Sequence, residues 1–427
     1  MTVLADATSV ATSNIASLWL LVAAAMVLLM TPGLAFFYGG MVQAKSVINM
    51  MMMSFGAIAL ISVLWIIYGY SMSFGVSGAD GRITDWLLPH VLLNPFANIG
   101  LHDYLPIHAD GSLSALNTGD TFSLAFAAFE ATFAIITVAL ISGAIADRAR
   151  FGSWMIFAGV WVTVVYFPVA SWVFSAGGWL QRLGLRDFAG GTVVEVNSGA
   201  AALALALVLG RRIGFTKGMG KPHNVPLTLV GAALLWFGWF GFNSGSALGV
   251  NTTAALSWIN TLASLAAATI GWLITEKLKD GKPTSIGAAS GAVAGLVAVT
   301  PSANILTPMW ALVLGLITGV ACCLAVELKW RLGFDDTLDV VGIHLIGGLI
   351  GTLFIGVFGA GVGLLDTGSL RQLGAQAIGC LAVGAYSFIV AYAIGWGLQK
   401  TIGFRITSED ESAGVDSILH GEESYAI

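Results

Sequence analysis

The sequence predicts an all-α polytopic membrane protein. Eleven transmembrane helices are expected, as an inverted 5+5 repeat plus one, with the N-terminus out and the C-terminus in. Three observations predict it. Of the 427 residues, 57% are hydrophobic and only 10% charged, against about 25% charged in a soluble domain, and the mean hydropathy is +0.87. Eleven apolar stretches approach the ~20 residues that cross a bilayer, and the long alternation of an outer-membrane barrel is absent. With the N-terminus outside, fourteen of the eighteen Lys and Arg residues fall on the cytoplasmic side, as the positive-inside bias requires. This composition excludes a soluble enzyme, a disordered chain and a disulfide-stapled secreted domain. The formal net charge of −5 offers no basic surface for nucleic acid.

The stretches lie near 16–42, 47–76, 122–145, 152–176, 190–210, 226–248, 254–275, 285–300, 309–328, 340–360 and 373–399. Met1–Ser17 lacks a basic n-region and is not expected to be a cleaved signal peptide. The longest outer loop, 78–121, holds His90, His102 and His108 among aspartates, read as solvated side chains before a metal site. The eighth stretch is short, either tilted or capped by Pro301. Cys322, Cys323 and Cys380 sit in apolar runs and read as small buried hydrophobes. No cofactor or metal spacing is present in the sequence. Residues 1–407 form the expected transmembrane domain: repeat one about 16–210, repeat two about 226–360, and helix eleven about 373–399. The tail, 408–427, carries six acidic residues and no Lys or Arg. It is expected to be a cytoplasmic appendage, either disordered or folded against a partner.

Two halves are legible. Leu34-Ala35-Phe36-Phe37-Tyr38-Gly39-Gly40 in the first stretch echoes Leu235-Trp236-Phe237-Gly238-Trp239-Phe240-Gly241 in the sixth. Asp187 lies eight residues before Glu195, and Asp336 eight before His344. An odd number of spans per half inverts the repeats, which places a site at the bilayer midplane.

Ionisable groups at membrane depth cost several kcal/mol and mark function by default. Glu195 and His344 occupy corresponding places in the two halves. If they meet, they either share one proton or carry opposite charges; a pore or relay role is favoured over a purely structural pair. Glu130 instead reads as a cap on a neighbour or a subunit contact. Asp187 and Asp339 read as N-terminal caps of the fifth and tenth helices. Phe129 and Phe133 share one helix face, as do Trp239, Phe242 and Ser246. Such a stripe is usually core, but beside an ionisable pair it suits cation–π binding or a hydrophobic gate.

At these residues the chain resembles the ammonium transporters of the Amt/Mep/Rh family. The resemblance covers nearly the whole length. It is carried by Thr31-Pro32-Gly33-Leu34-Ala35-Phe36-Phe37-Tyr38-Gly39-Gly40, by Asp187-Phe188-Ala189-Gly190-Gly191-Thr192, by Lys221-Pro222-His223-Asn224, and most specifically by Gly238-Trp239-Phe240-Gly241-Phe242-Asn243-Ser244-Gly245-Ser246. The resemblance implies a homotrimer in the plasma (inner) membrane with one pore per subunit. It implies ammonium recruitment at Phe133, Phe174 and Ser246, supported by Asp187, and a gate of Phe133 and Phe242. Glu195, His344, Trp239 and Phe129 would line the pore. The tail's His420-Gly421-Glu422-Glu423-Ser424-Tyr425 resembles the ending that docks a PII-type regulatory protein.

The chain departs from the family pattern in three places. Glu195 stands where the first of two pore histidines is expected, Phe174 where a tryptophan is usual, and Ser171 where a histidine is common. Phenyl is the weaker cation–π partner. The expected function is inward conduction of ammonium, as ammonia plus a proton. The alternative is an ammonium sensor or receptor with slow or no transport, motivated by Glu195 and Phe174. No kinase or cyclase segment follows the last stretch, which favours transport as an expectation. A neutral gas channel fits the aromatic cage and Asp187 less well. No Ser/His/Asp set, metal spacing or phosphate loop suggests an enzyme.

Overall fold

The computed structural model describes residues 2–75, 85–88, 91–105, 120–217 and 221–425. Arg82, His90 and His108 lie outside the described residues. His102 is exposed and stands 3.6 Å from Asp103. Among the described residues no group of His, Cys, Asp and Glu could hold a metal.

Eleven apolar helices account for the eleven predicted stretches: α1 (Thr2–Met41), α2 (Val47–Phe74), α3 (Thr121–Ile145), α4 (Phe151–Val173), α5 (Gly191–Leu209), α6 (Val225–Gly245), α7 (Thr252–Asp280), α8 (Ser285–Val299), α9 (Pro308–Ala325), α10 (Val341–Phe358) and α11 (Arg371–Thr401). Among the described residues, ten helices are long and apolar enough to cross a membrane. The eighth falls short. Its fifteen residues rise only roughly 22 Å, against a hydrocarbon core of ~30 Å. Its surroundings explain why this is tolerated. Nearly every side chain of α8 is buried by other helices, and Asn260 on α7 donates to the carbonyls of Ala303 and Leu306 in the turn beyond it, both at 2.8 Å. Protein, rather than length, satisfies this backbone.

Polar caps start the helices where the sequence offers them. Asp120, Asn224, Asn251, Thr284 and Thr307 each accept a hydrogen bond from the backbone N–H three residues on, opening α3, α6, α7, α8 and α9. The helix α1 packs along α6 and α3, while α11 lies outside α5. Cys322, Cys323 and Cys380 are free and buried, as expected of small hydrophobes.

One end of the bundle is closed by buried charge. The guanidinium of Arg148 donates to the carbonyls of Ala144, Ala146 and Asp335 and to the Thr337 hydroxyl. Arg212 bridges Asp335 and Asp147, each at 2.9 Å. Burial alone would raise the Asp335 pKa, but the Arg212 hydrogen bonds and the nearby Arg148 charge hold it below the ordinary carboxylate range. Burial pushes Arg148 down to about 10.

The acidic tail departs from expectation. Rather than being disordered, it folds onto its own chain as two short helices, α12 (Ser408–Ala413) and α13 (Val415–His420). The carboxylate of Asp416 accepts from the N–H groups of Ile48 and Asn49 at 3.0 and 2.8 Å, capping α2, whose own Ser46 makes no side-chain cap. Glu411 pairs with Arg405 at 2.7 Å and accepts from the Ile213 N–H. The Tyr425 hydroxyl meets His223 Nε2 at 2.7 Å. Two of the acidic residues, Asp416 and Glu411, thus serve as acceptors for backbone amides of distant segments, a purpose invisible in their spacing.

Two outcomes are expected. The Asp335 pKa is depressed by folding, so its contribution is present above the unfolded value near 3.9 and is lost as pH falls through the folded value. Thermal unfolding followed by tryptophan fluorescence should therefore show a steep loss below about pH 4, and Arg212→Ala should cost about 3–5 kcal/mol at neutral pH. Asp416→Ala should cost about 1 kcal/mol and release the tail, read as faster tryptic cleavage after Arg405.

Candidate functional site

Helices α5 and α10 begin inside the protein, where water cannot satisfy their first N–H groups. Aspartates do so instead. The Asp187 carboxylate accepts from the N–H groups of Gly190, Gly191, Thr192 and Val193 and from the Thr192 hydroxyl, at 2.5–3.2 Å. Asp336 accepts from the N–H groups of Val340 and Val341 at 3.2 and 2.7 Å. The expected cap at Asp339 is corrected. Asp339 is the left-handed residue at the entry (φ 63°) and pairs with Lys329 Nζ at 2.6 Å. A carboxylate that must reach several consecutive amides sits further back, where Asp336 matches Asp187 in spacing.

Each cap leads into a π-helical first turn, Gly191–Val196 and Val341–Leu345. Glu195 and His344 lie in these turns. The two helices cross in contact there because a glycine follows each ionisable residue by four positions. A Cβ on Gly199 would meet Cα of Leu345 at 2.7 Å, and one on Gly348 would meet Cβ of Glu195 at 2.8 Å. Glu195 and His344 are 0% and 4% exposed. His344 Nδ1 lies 2.6 Å from Glu195 Oε2, the length of a charge-assisted hydrogen bond. The other carboxylate oxygen, Oε1, has no hydrogen-bond partner among the described residues. Such an atom is expensive to bury without a ligand or proton.

Above this pair stand the aromatic residues. Phe133 of α3 and Phe242 of α6 stack with centroids 4.0 Å apart and planes 18° apart. Phe129 meets Phe133 edge-on at 4.8 Å, and Trp239 tilts against Phe242 at 5.7 Å. The Trp239 indole N–H donates to the Thr300 hydroxyl at 2.9 Å, which fixes the ring. Between Phe242 and the Glu195–His344 pair lies a cavity of about 10 Å³, walled by Leu34, Val194 and Trp239. That holds about one water. Ser246, half-buried at the end of α6, donates its hydroxyl to the Phe242 carbonyl at 2.9 Å. Its oxygen lone pairs remain free to accept.

The structure therefore brings together Phe129, Phe133, Phe242, Trp239, Ser246, Glu195 and His344. Phe174 directly follows α4 and is half-buried; among the described residues no ring contact joins it to Phe129 or Phe133. Asp187 is committed to backbone amides. The expectation for Glu130 is corrected. It lies within α3, 7% exposed, and neither caps a helix end nor presents a surface; its Oε2 has no partner among the described residues. Thr300 was not legible as a site residue. Gly199 and Gly348 carried a signal, the shared four-residue offset from an ionisable group.

Comparison with known proteins decides the family. A sequence profile of the Ammonium Transporter Family matches residues 18–425. The chain belongs to the ammonium transporter family. The family comprises transporters and channels, not enzymes. The ammonium transporter of Mycobacterium tuberculosis is 48% identical over 95% of this chain and 89% of its own. Among solved structures, Saccharomyces cerevisiae Mep2 superposes with a TM-score of 0.79 at 32% identity, covering 92% of this chain and 90% of its own. A structure titled as a sensor Amt protein reaches 0.86 at 30% identity, covering 96% and 100%. In this ammonium transporter family member the fold thus extends over the whole helical bundle and the tail.

Asp187→Ala should leave four amide donors unsatisfied at once. The expected cost is roughly 1–3 kcal/mol for each group left unpaired, read as loss of thermal stability in detergent, with Asp187→Asn retaining part of it.

Proposed function

We propose that this chain conducts ammonium inward across the plasma membrane, one pore per subunit of a homotrimer, by separating it into ammonia and a proton. The observation that carries this reading is the unpartnered Glu195 Oε1 and its hydrogen-bonded His344, at the foot of a closed aromatic stack in an otherwise apolar lumen. Ammonium would dock against the faces of Phe129, Phe133 and Phe174 by cation–π attraction and donate an N–H to the Ser246 oxygen, whose own proton is already committed. Asp187 would act through α5, which it caps, rather than by touching the cation. Parting of Phe133 and Phe242 would admit the cation to the one-water cavity beside Trp239. There ammonium gives its proton to Glu195 Oε1, and ammonia passes the apolar walls. The proton returns to ammonia at the inner end. A metal ion of similar radius has no proton to give and no N–H to donate.

The architecture of this reading has eleven crossings, the fifteen-residue α8 included, in an inverted 5+5 repeat plus α11. The matched caps Asp187 and Asp336, π-helical turns and paired glycines support the repeat. The charged end with Arg148, Arg212, Arg405 and the tail supports a cytoplasmic C-terminus. Residues 1–407 are the transmembrane domain and 408–427 the tail. A PII-type protein would dock on this face over the loops that the tail clasps.

A second reading, an ammonium sensor, is favoured by two observations: the likeness to the structure titled as a sensor Amt protein, and Glu195 and Phe174 in place of histidine and tryptophan. Proteoliposomes on a solid-supported membrane separate the two. Transport predicts a saturable ammonium-evoked current; specific ammonium binding with no current would establish the sensor. Glu195→His should keep the current with a shifted pH optimum. His344→Ala should lower it by about tenfold or more, because it strands a buried carboxylate. Parent-like currents across pH in both variants would reduce the pair to a structural role.

A further inference from the structure

We propose that Glu130 is a second proton-binding site, set on the back of the gate helix α3, and that its charge governs how readily a cation passes Phe129 and Phe133. The effect on passage rests on the conduction reading above; the proton site does not.

Two faces of α3 carry different chemistry. Phe129 and Phe133, four residues apart, build the aromatic stack. Phe126 and Glu130, also four apart, share another face. Phe126 meets Phe74 and Tyr70 of α2 edge-on, with centroids at 5.0 and 6.5 Å, which turns this face toward α2 rather than toward the stack. Among the described residues the buried Glu130 makes no ion pair, and its Oε2 has no hydrogen-bond partner. A buried carboxylate in that position needs a proton, or a donor that moves to it.

The titratable groups that face Glu130 are Tyr70 at the end of α2 and Tyr166 of α4. The others around α3 are engaged elsewhere. Tyr38 of α1 donates to the Leu140 carbonyl, Asp120 caps the start of α3, Asp187 caps α5, and Glu195 binds His344 on the pore side. The Tyr70 and Tyr104 hydroxyls stand at a long 3.4 Å. The Tyr166 hydroxyl faces Thr137, whose own proton goes to the carbonyl of Phe133 at 2.6 Å. Two hydroxyls and one carboxylate are too few ligands for a metal cation, which leaves the proton.

Both tyrosines stand at π-helical turns, Trp65–Gly69 leading directly into Tyr70 and Val162–Tyr166 ending on Tyr166. Such turns recur at functional sites. Here they are keyed together: a Cβ on Gly69 would strike the Phe167 ring, and the Trp65 indole N–H donates to the Ala127 carbonyl at 3.0 Å. When Glu130 ionises, these hydroxyls are its donors, and the negative charge lies across the ~10 Å width of one helix from the gate. At an effective dielectric of about 20, that charge favours a cation at the gate on the order of tenfold. Protonation removes the attraction.

Infrared difference spectroscopy of the full chain in liposomes, between about pH 5 and pH 9, reads the proton without any need for transport. The parent should lose a carboxylic-acid carbonyl band as pH rises. That loss should be absent from Glu130→Gln and retained in Glu195→Gln. On a solid-supported membrane at constant ammonium-ion concentration, the parent current should rise on the order of tenfold over the same range. Glu130→Gln should hold the acid-side level throughout, and Glu130→Asp should restore the rise. A Glu130→Gln spectrum identical to the parent's would overturn the site. A Glu130→Gln current that rises as the parent's does would overturn its control of the gate. A titrating band in a chain that passes no current would support the site and overturn conduction.

Discussion

A helix that starts inside a membrane protein has four N–H groups and no water to receive them. The architecture turns on how α5 and α10 meet that constraint. Asp187 and Asp336 gather these amides, and each carboxylate is held several residues before the helix it serves. Because the caps are placed alike, the first turns unwind alike, and each delivers one ionisable side chain to the crossing. Glycines at Gly199 and Gly348 let the backbones close until imidazole and carboxylate meet at 2.6 Å. With these caps absent, the pair would lose its register as well as its support.

The pair and the aromatic stack divide the physical work. Stacked phenyl rings in a buried lumen exclude water and ions at low cost, because they have no polar group to satisfy. A carboxylate in the same lumen does the opposite: it demands a proton or a cation. Phe242 and the Glu195–His344 pair line one small cavity, so an apolar closure and a buried carboxylate stand side by side. The Trp239–Thr300 hydrogen bond and the Ser246–Phe242 hydrogen bond engage the donors beside this cavity, while Glu195 Oε1 is a buried acceptor without a partner among the described residues.

The opposite end is governed by charge. Arg148, Arg212 and Arg405 tie the loops after α3, α5, α9 and α11 into one buried network. The tail completes it by capping α2 through Asp416 and reaching His223 through Tyr425. Any protein that engages this face meets loops whose positions already depend on the tail.

Much was legible in the residues. Hydropathy located the ten helices that are long and apolar enough to cross, because lipid imposes length and composition locally, and the shorter α8 besides. Helical spacing put Phe129 with Phe133 and Trp239 with Phe242, since neighbours three and four apart share a face whatever surrounds them. The eight-residue offset from Asp187 to Glu195 and from Asp336 to His344 suggested a pair. What the sequence alone could not decide lies in contacts between distant segments. Asp339 reads as the cap of α10 until the loop is folded, and only backbone reach selects Asp336. The acidic tail looks like a solvated appendage until the uncapped start of α2 is beside it. Glu130 looks like a helix-end residue until neighbouring helices bury it. Local periodicity is written in the order of residues, whereas the partner of a buried amide or carboxylate is chosen by whichever distant segment the packing brings within hydrogen-bond reach.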